Sequence, residues 1–214
     1  LPGSELSIGA DTALNNAIGA LDSIKQSAAA SRRCFVAESM GRKCGYLALM
    51  SGIATGAERV YLNEDGLTLA QLARDSARMV ESFRSGRDLY LVIRNERASE
   101  NYTLDVLAKI FAQEGRGLYD VRHAALGHLQ QGGDPSAFDR IMATKLVAHA
   151  LDLLADQLGA GTHHSSYVGL TGGRITHRRL ERMNDELDLS SRRPLHQWWM
   201  GLREAISLVS QNIG

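Results

Sequence analysis

Short apolar runs rich in β-branched residues alternate along the chain with longer runs in which apolar side chains recur every three or four positions. That is the pattern of a sheet covered by helices. A helix is expected from about Asp11 to Ala29, where Leu14, Ile18, Leu21 and Ile24 share a face, and then a strand over Cys34-Phe35-Val36-Ala37-Glu38. A glycine-containing loop, Ser39 to Gly45, leads into a helix over Tyr46 to Ile53, followed by a short strand at Val60-Tyr61-Leu62. Thr68 is placed to cap a helix running to about Phe83, Gly86 ends it, and Leu89 to Ile93 reads as a buried strand. Asn101 or Thr103 opens a helix through Phe111 that Gly115 and Gly117 close; a strand through Ala124-Ala125-Leu126-Gly127 then delivers the polar stretch LGHLQQGGDPSAFDR, residues 126–140. Asp134 is expected to cap the next helix with Pro135 at its first position, and Phe138, Ile141, Met142, Leu146, Leu151, Leu154 and Leu158 form its amphipathic stripe. Gly159 to Ser166 reads as a loop, Tyr167 to Leu170 as a last strand, Thr171-Gly172-Gly173 as a turn, and Pro194 to Ser210 as a closing helix. The expected class is α/β, a three-layer α/β/α arrangement with a mainly parallel sheet, with no internal boundary assigned within residues 1–214.

Composition narrows the partners. Twenty-four basic and twenty-four acidic side chains cancel, which argues against a general attraction to nucleic acid or anionic membrane and confines any anion site to a local cluster. Cys34 and Cys44 are the two cysteines, too few for a disulfide framework and without CxxC spacing, so a reducing cytoplasm is expected. No apolar stretch approaches the roughly 20 residues of a membrane helix. The start at Leu1-Pro2-Gly3, without a methionine, reads as that of a fragment or a processed product.

Three strand-to-loop junctions gather polar groups: Glu38 to Lys43, Arg94 to Arg97, and His128 to Gly133. In open α/β sheets ligands settle at the carboxyl ends of strands, where loops converge and helix amino termini point free amides outward. Arg33, Arg42, Lys43 and Arg122 supply cations, and Gly41, Gly132 and Gly133 would let backbone amides approach the same oxygens. Glu96, Gln130 and Gln131 can pair with sugar hydroxyls, so the sum suggests a phosphorylated polyol. Taken singly, each has a plainer reading: Arg42-Lys43 as a solvated pair, His128 as a structural histidine, Gly132-Gly133 as a turn and Glu96 as a surface carboxylate. His163-His164 reads as a flexible loop and Trp198-Trp199 as one core anchor beside one partly exposed indole. No GxxxxGK[ST], no GxGxxG and no paired nucleophile and base occur, so the chain by itself reads as a binder.

The stretches PGSELSIGADTALN, AESMGRKCGYLALMSG, IRNERASENYT, LGHLQQGGDPSAFDR and PLHQWW together resemble the ATP-dependent 6-phosphofructokinase family over nearly the whole chain. The resemblance is greatest to the carboxyl-terminal half of the duplicated eukaryotic enzyme. Catalytic copies read HxQRGG where this chain has Gln131, as regulatory halves do. The resemblance implies a sugar-phosphate or effector site of Arg33, reaching from a neighbouring subunit or half, Met40-Gly41-Arg42 against the sugar, Glu96 on its hydroxyls, Arg122 on a phosphate, His128-Leu129-Gln130-Gln131, and a late Arg192. The implied ligand is fructose 2,6-bisphosphate in a regulatory half. Two alternatives stand: fructose 6-phosphate in a catalytic half, kept open by Arg42, or a vestigial pocket in a half retained for oligomerisation. The whole enzyme would transfer a phosphoryl group from MgATP to fructose 6-phosphate as a cytoplasmic homo-oligomer, a tetramer. The nucleotide loop and catalytic aspartate lie upstream in the family, so this chain corresponds to an incomplete lobe without cofactor or metal of its own.

Overall fold

The computed structural model describes residues 2–28 and 31–206. Its contacts divide the chain into two compact units, residues 13–132 with 201–214 and residues 1–12 with 133–200.

The first unit is built on four parallel strands, β1 (Arg33–Ser39), β2 (Arg59–Tyr61), β3 (Leu89–Asn95) and β4 (Asp120–Ala125), in the order β2-β3-β1-β4. The helices are α1 (Ala10–Ala28), which enters from the other unit, α2 (Tyr46–Thr55), α3 (Leu69–Arg84) and α4 (Leu104–Gly115). Right-handed crossovers between parallel strands place α2 on one face and α3 with α4 on the other. Lys25 Nζ donates to Thr55 O (2.6 Å), fastening α1 beside α2. On the opposite face Cys34, Val36, Tyr90 and Val92 meet Leu72, Met79, Phe83, Leu107 and Phe111 in the core. β3 is central and apolar on both sides, as a parallel strand covered by helices must be. The edge strand β4 carries Asp120, Arg122 and His123 exposed. Thr68 and Thr103 cap α3 and α4 by accepting from Gln71 N and Val106 N.

The second unit holds α5 (Ala137–Ala160), an antiparallel hairpin of β5 (Ser166–Thr171) and β6 (Arg174–Arg179), and a two-stranded ribbon of β7 (Leu187–Asp188) and β8 (Arg193–Pro194). Trp199 is buried, while Trp198 is partly exposed and donates through Nε1 to Glu5 O (2.9 Å), the division expected of the pair. No described helix is long and apolar enough to cross a membrane.

Several expectations need correction. β4 ends at Ala125, and residues 127–131 coil into a 3₁₀ turn rather than extending the strand. The cap of α5 is Ser136, not Asp134: Ser136 is extended and its Oγ accepts from Asp139 N (3.2 Å), which leaves Pro135 ahead of the helix. The α5 stripe is mostly bare: of its residues Met142 is buried, and Phe138, Ile141, Leu151, Leu154 and Leu158 are exposed. β6 was not anticipated, because RITHRR, with one apolar residue and three arginines, lacks the alternation that marks a strand. In place of a helix from Pro194 there are β8 and a 3₁₀ turn at 198–202; residues 203–206 are helical, and 207–210 lie outside the described residues.

Candidate functional site

β3, β1 and β4 are parallel neighbours whose last residues are in register, Glu38 beside Arg94 and Ala125, and Ser39 beside Asn95. The three polar junctions therefore do open on one edge of the sheet. Main-chain bonds draw them closer, from Glu96 N to Ser39 O (3.0 Å) and from Leu126 N to Glu38 O (2.9 Å).

The loop between β1 and α2 is held by side chains along its length. Met40 N donates to Gln130 Oε1 (2.7 Å). Gly41 N and Arg42 N both donate to Glu96 Oε1 (3.2 and 2.6 Å). Lys43 O accepts from Asn63 Nδ2 (3.1 Å), Cys44 O accepts from Asn95 Nδ2 (3.1 Å), and Gly45 N donates to Glu64 Oε1 (3.0 Å). Glycine is required at 41, because a Cβ there would overlap the Cys44 carbonyl. Arg42 adopts a positive φ of 49°, a left-handed conformation that costs a residue with a Cβ roughly 1 kcal/mol. The side chains of Arg42 and Lys43 are exposed.

Gln130 is 1% exposed, and its Nε2 donates to Ser39 Oγ (3.2 Å), so both ends of its amide are engaged inside the protein. His128, Leu129 and Gln131 lie on the exposed side of the same turn, with His128 Nδ1 donating to Gln131 Oε1 (3.0 Å). Next to the loop, a cleft of about 580 Å³ is lined by Glu38, Arg94, Glu96, Thr103 and Asp105, among others. Burial pushes the Glu38 carboxyl above its ordinary range, against the pull of the Arg94 guanidinium with which it is paired. Burial likewise lowers Arg94, with Glu38 opposing. The carboxylates Glu38, Glu96, Glu100 and Asp105 line the cleft together with the guanidinium groups of Arg94 and Arg97, so it offers acceptors for hydroxyl donors beside cationic donors.

The remaining candidates sit elsewhere. Arg33 begins β1, about 20 Å along the strand from Ser39 at roughly 3.3 Å per residue. It lies 3.8 Å from Asp120, whose carboxylate also accepts from Arg122 Nε at 2.9 Å. Arg33 and Arg122 thus form a second basic group toward the amino ends of the strands, not part of the loop cluster. Arg192 belongs to the other unit, exposed at a positive φ of 56° in the turn joining β7 and β8. Sequence reasoning passed over Asn63 and Glu64; the available signal was that they follow the short β-rich run Val60-Tyr61-Leu62, which ends at this edge. Among the described residues no three His, Cys, Asp or Glu side chains are grouped to hold a metal ion.

Residues 1–154 match the phosphofructokinase family profile. The chain is 46% identical over 215 residues to an ATP-dependent 6-phosphofructokinase of Dictyostelium discoideum, covering 100% of this chain and 25% of that protein. It is 38% identical over 222 residues to the muscle-type enzyme of Homo sapiens, covering 99% of this chain and 28% of that one. A solved structure of phosphofructokinase from Saccharomyces cerevisiae superposes with a TM-score of 0.92 at 32% identity, covering 98% of this chain and 29% of the yeast chain. The chain therefore spans about a quarter of the length of the curated relatives it matches. With a family profile over most of its residues and a mainly parallel sheet flanked by helices as in the yeast structure, the chain belongs to the phosphofructokinase family.

Proposed function

We propose that this chain is a sugar-phosphate-binding portion of an ATP-dependent 6-phosphofructokinase and that its loop cluster serves the regulatory half, where it takes fructose 2,6-bisphosphate. Gln131 carries the reading. A catalytic copy holds an arginine at that position, able to fork two charge-assisted hydrogen bonds onto a phosphate. Here an uncharged amide is tied to His128 instead. The cations left at the loop are Arg42 and Lys43, both exposed, while the carboxylate-rich cleft beside them offers acceptors for sugar hydroxyls. Activation would follow if the bisphosphate binds the active assembly better than the inactive one, in which case substrate reciprocally tightens bisphosphate binding. The whole enzyme would draw its phosphoryl group from MgATP and work in the cytoplasm as a homo-tetramer, with Arg33 and Arg122 contributing to a site they share with a neighbouring half.

Arg42 favours a second reading, since Met40-Gly41-Arg42 is the form found in catalytic copies. Calorimetry on the full-length enzyme separates the two. Arg42→Ala is expected to weaken fructose 2,6-bisphosphate binding at least about tenfold, about 1.4 kcal/mol, and to blunt activation. If bisphosphate affinity and activation persist while saturation by fructose 6-phosphate collapses, the pocket is catalytic and the regulatory assignment is wrong.

A further inference from the structure

We infer that His149 and His177 form a two-nitrogen site for a divalent transition-metal ion of the Zn²⁺ class, which pins the β5–β6 hairpin to α5. The site lies wholly within the second unit, apart from the sheet edge, and takes a metal that the resemblance does not imply for this chain. His149 Nε2 and His177 Nδ1 stand 3.0 Å apart, with ring centres at 5.2 Å, although 28 residues separate them in sequence. One ring is carried by a 24-residue helix and the other by β6, where His177 is paired in register with Val168. Both nitrogens are thus delivered by regular structure rather than by a loop, which is what a preformed ligand pair requires. His177 is exposed and His149 half-buried, so an ion has a way in and water can complete its shell.

The chemistry of the pair suits a cation. Two facing imidazoles share one N–H···N bond, so one nitrogen already presents its lone pair to the other ring. A metal ion takes both lone pairs in place of that proton. With metal–nitrogen bonds of about 2.05 Å and a near-tetrahedral angle, two ligating nitrogens lie about 3.3 Å apart. A tilt of the rings by roughly a few tenths of an ångström makes up the difference from the observed spacing. Imidazole suits Zn²⁺, Ni²⁺ and Cu²⁺ alike, with Cu²⁺ held most tightly. The arginines that follow His177 on β6 are turned to other partners: Arg178 pairs with Glu186, and Arg179 Nη2 lies 3.2 Å from His164 Nε2. The latter contact also sets aside His163-His164, the more conspicuous pair in the sequence, because a guanidinium stands where a metal would approach His164.

Calorimetric titration of the full chain with ZnCl₂, after stripping with a chelator and with no sugar phosphate present, tests the site. One Zn²⁺ per chain is expected, and saturating metal should raise the melting temperature by roughly a few degrees, because the ion binds the folded chain. Removing a group that only orients a metal ligand costs roughly 10- to 100-fold in affinity, so His177→Ala and His149→Gln, which each remove a ligand, should lose at least about tenfold. The double variant His163→Ala/His164→Ala should bind as the wild type does. The inference is overturned if the wild-type chain takes up no Zn²⁺ at submillimolar concentration, if His177→Ala binds as tightly as wild type, or if the His163/His164 variant loses the site instead. His177 is exposed, so His177→Ala decides alone should His149→Gln fail to fold. Because the titration contains no sugar phosphate, its outcome leaves the fructose 2,6-bisphosphate reading to be judged by its own experiment.

Discussion

Two glycine-bearing turns follow strands at the same edge of the sheet, and they use glycine differently. In the turn after β1, Gly41 is hemmed in: a Cβ would collide with the Cys44 carbonyl and come within 2.9 Å of Asn95 Nδ2. In the turn after β4, Gly132 has ordinary space, its nearest contact for a Cβ being Leu129 O at 3.8 Å, and Gly133 is set apart by a φ of 79°. The first turn is packed because Asn63 and Glu64 after β2, Asn95 and Glu96 at the end of β3, and Gln130 in the 3₁₀ turn crowd onto its main chain. The second is tethered at few points, one of them the donation from Asn16 Nδ2 to Gly132 O (2.6 Å). Glycine in the first turn answers to steric closure and in the second to chain reversal, so the residue type alone does not announce a phosphate cradle.

The comparison breaks most visibly at Gly41. Gly41→Ala must displace a backbone carbonyl, and chemical denaturation should show a loss of about 3 kcal/mol together with loss of anion binding. Asp139 comes next, the carboxylate in LGHLQQGGDPSAFDR that sequence reasoning left unassigned. It accepts from Gly9 N (2.9 Å), Thr12 N (2.8 Å) and Thr12 Oγ1 (2.5 Å), and so caps the start of α1 from the first turn of α5. Burial alone would raise its pKa, but the bonds from Thr12, Gly9 and Ser136 outweigh burial and hold the carboxyl below its usual range. A folded-state pKa below the unfolded one gives stability that is complete above about pH 4 and is lost as pH falls through the folded value. Asp139→Ala should therefore cost about 2 kcal/mol at pH 7, and the gap from wild type should narrow in melts taken below about pH 4. The smallest effect is expected at Gly132→Ala, within about 0.5 kcal/mol by the same denaturation assay. A loss there as large as at Gly41 would erase the distinction between the turns.

The sheet was legible because its central strands are apolar runs bounded by glycine and polar residues. Leu89 to Ile93 could hardly be read otherwise, and Thr68 announced its helix by a side-chain cap that acts locally. Local logic misled where two caps competed. Asp134-Pro135 has the better pattern, but Ser136 takes the role because its hydroxyl reaches Asp139 N. At the loop cluster the shared edge was legible and the bonding within it was not. That Glu38, Glu96 and Gln130 share an edge follows from strand order, whereas the engagement of Gln130 with Met40 depends on two segments 90 residues apart meeting at hydrogen-bond distance. Chemistry alone would group Arg33 and Arg122 with the loop, whereas the resemblance implies that Arg33 reaches from a neighbouring subunit or half; within this chain a register no single segment encodes sets both toward the amino ends of the strands.

The clamped loop also has a kinetic meaning. Its six residues are bonded to partners at 63, 64, 95, 96 and 130, so no local segment can order it. Contacts of such long sequence separation form only after the intervening chain has closed, which places this loop among the last parts of the sheet unit to settle during folding. Once formed, its amides open with the assembly of strands that surrounds them rather than by fraying of the loop itself. A segment that looks on the surface like an ordinary connection thus has its slowest motions set by the stability of the whole sheet.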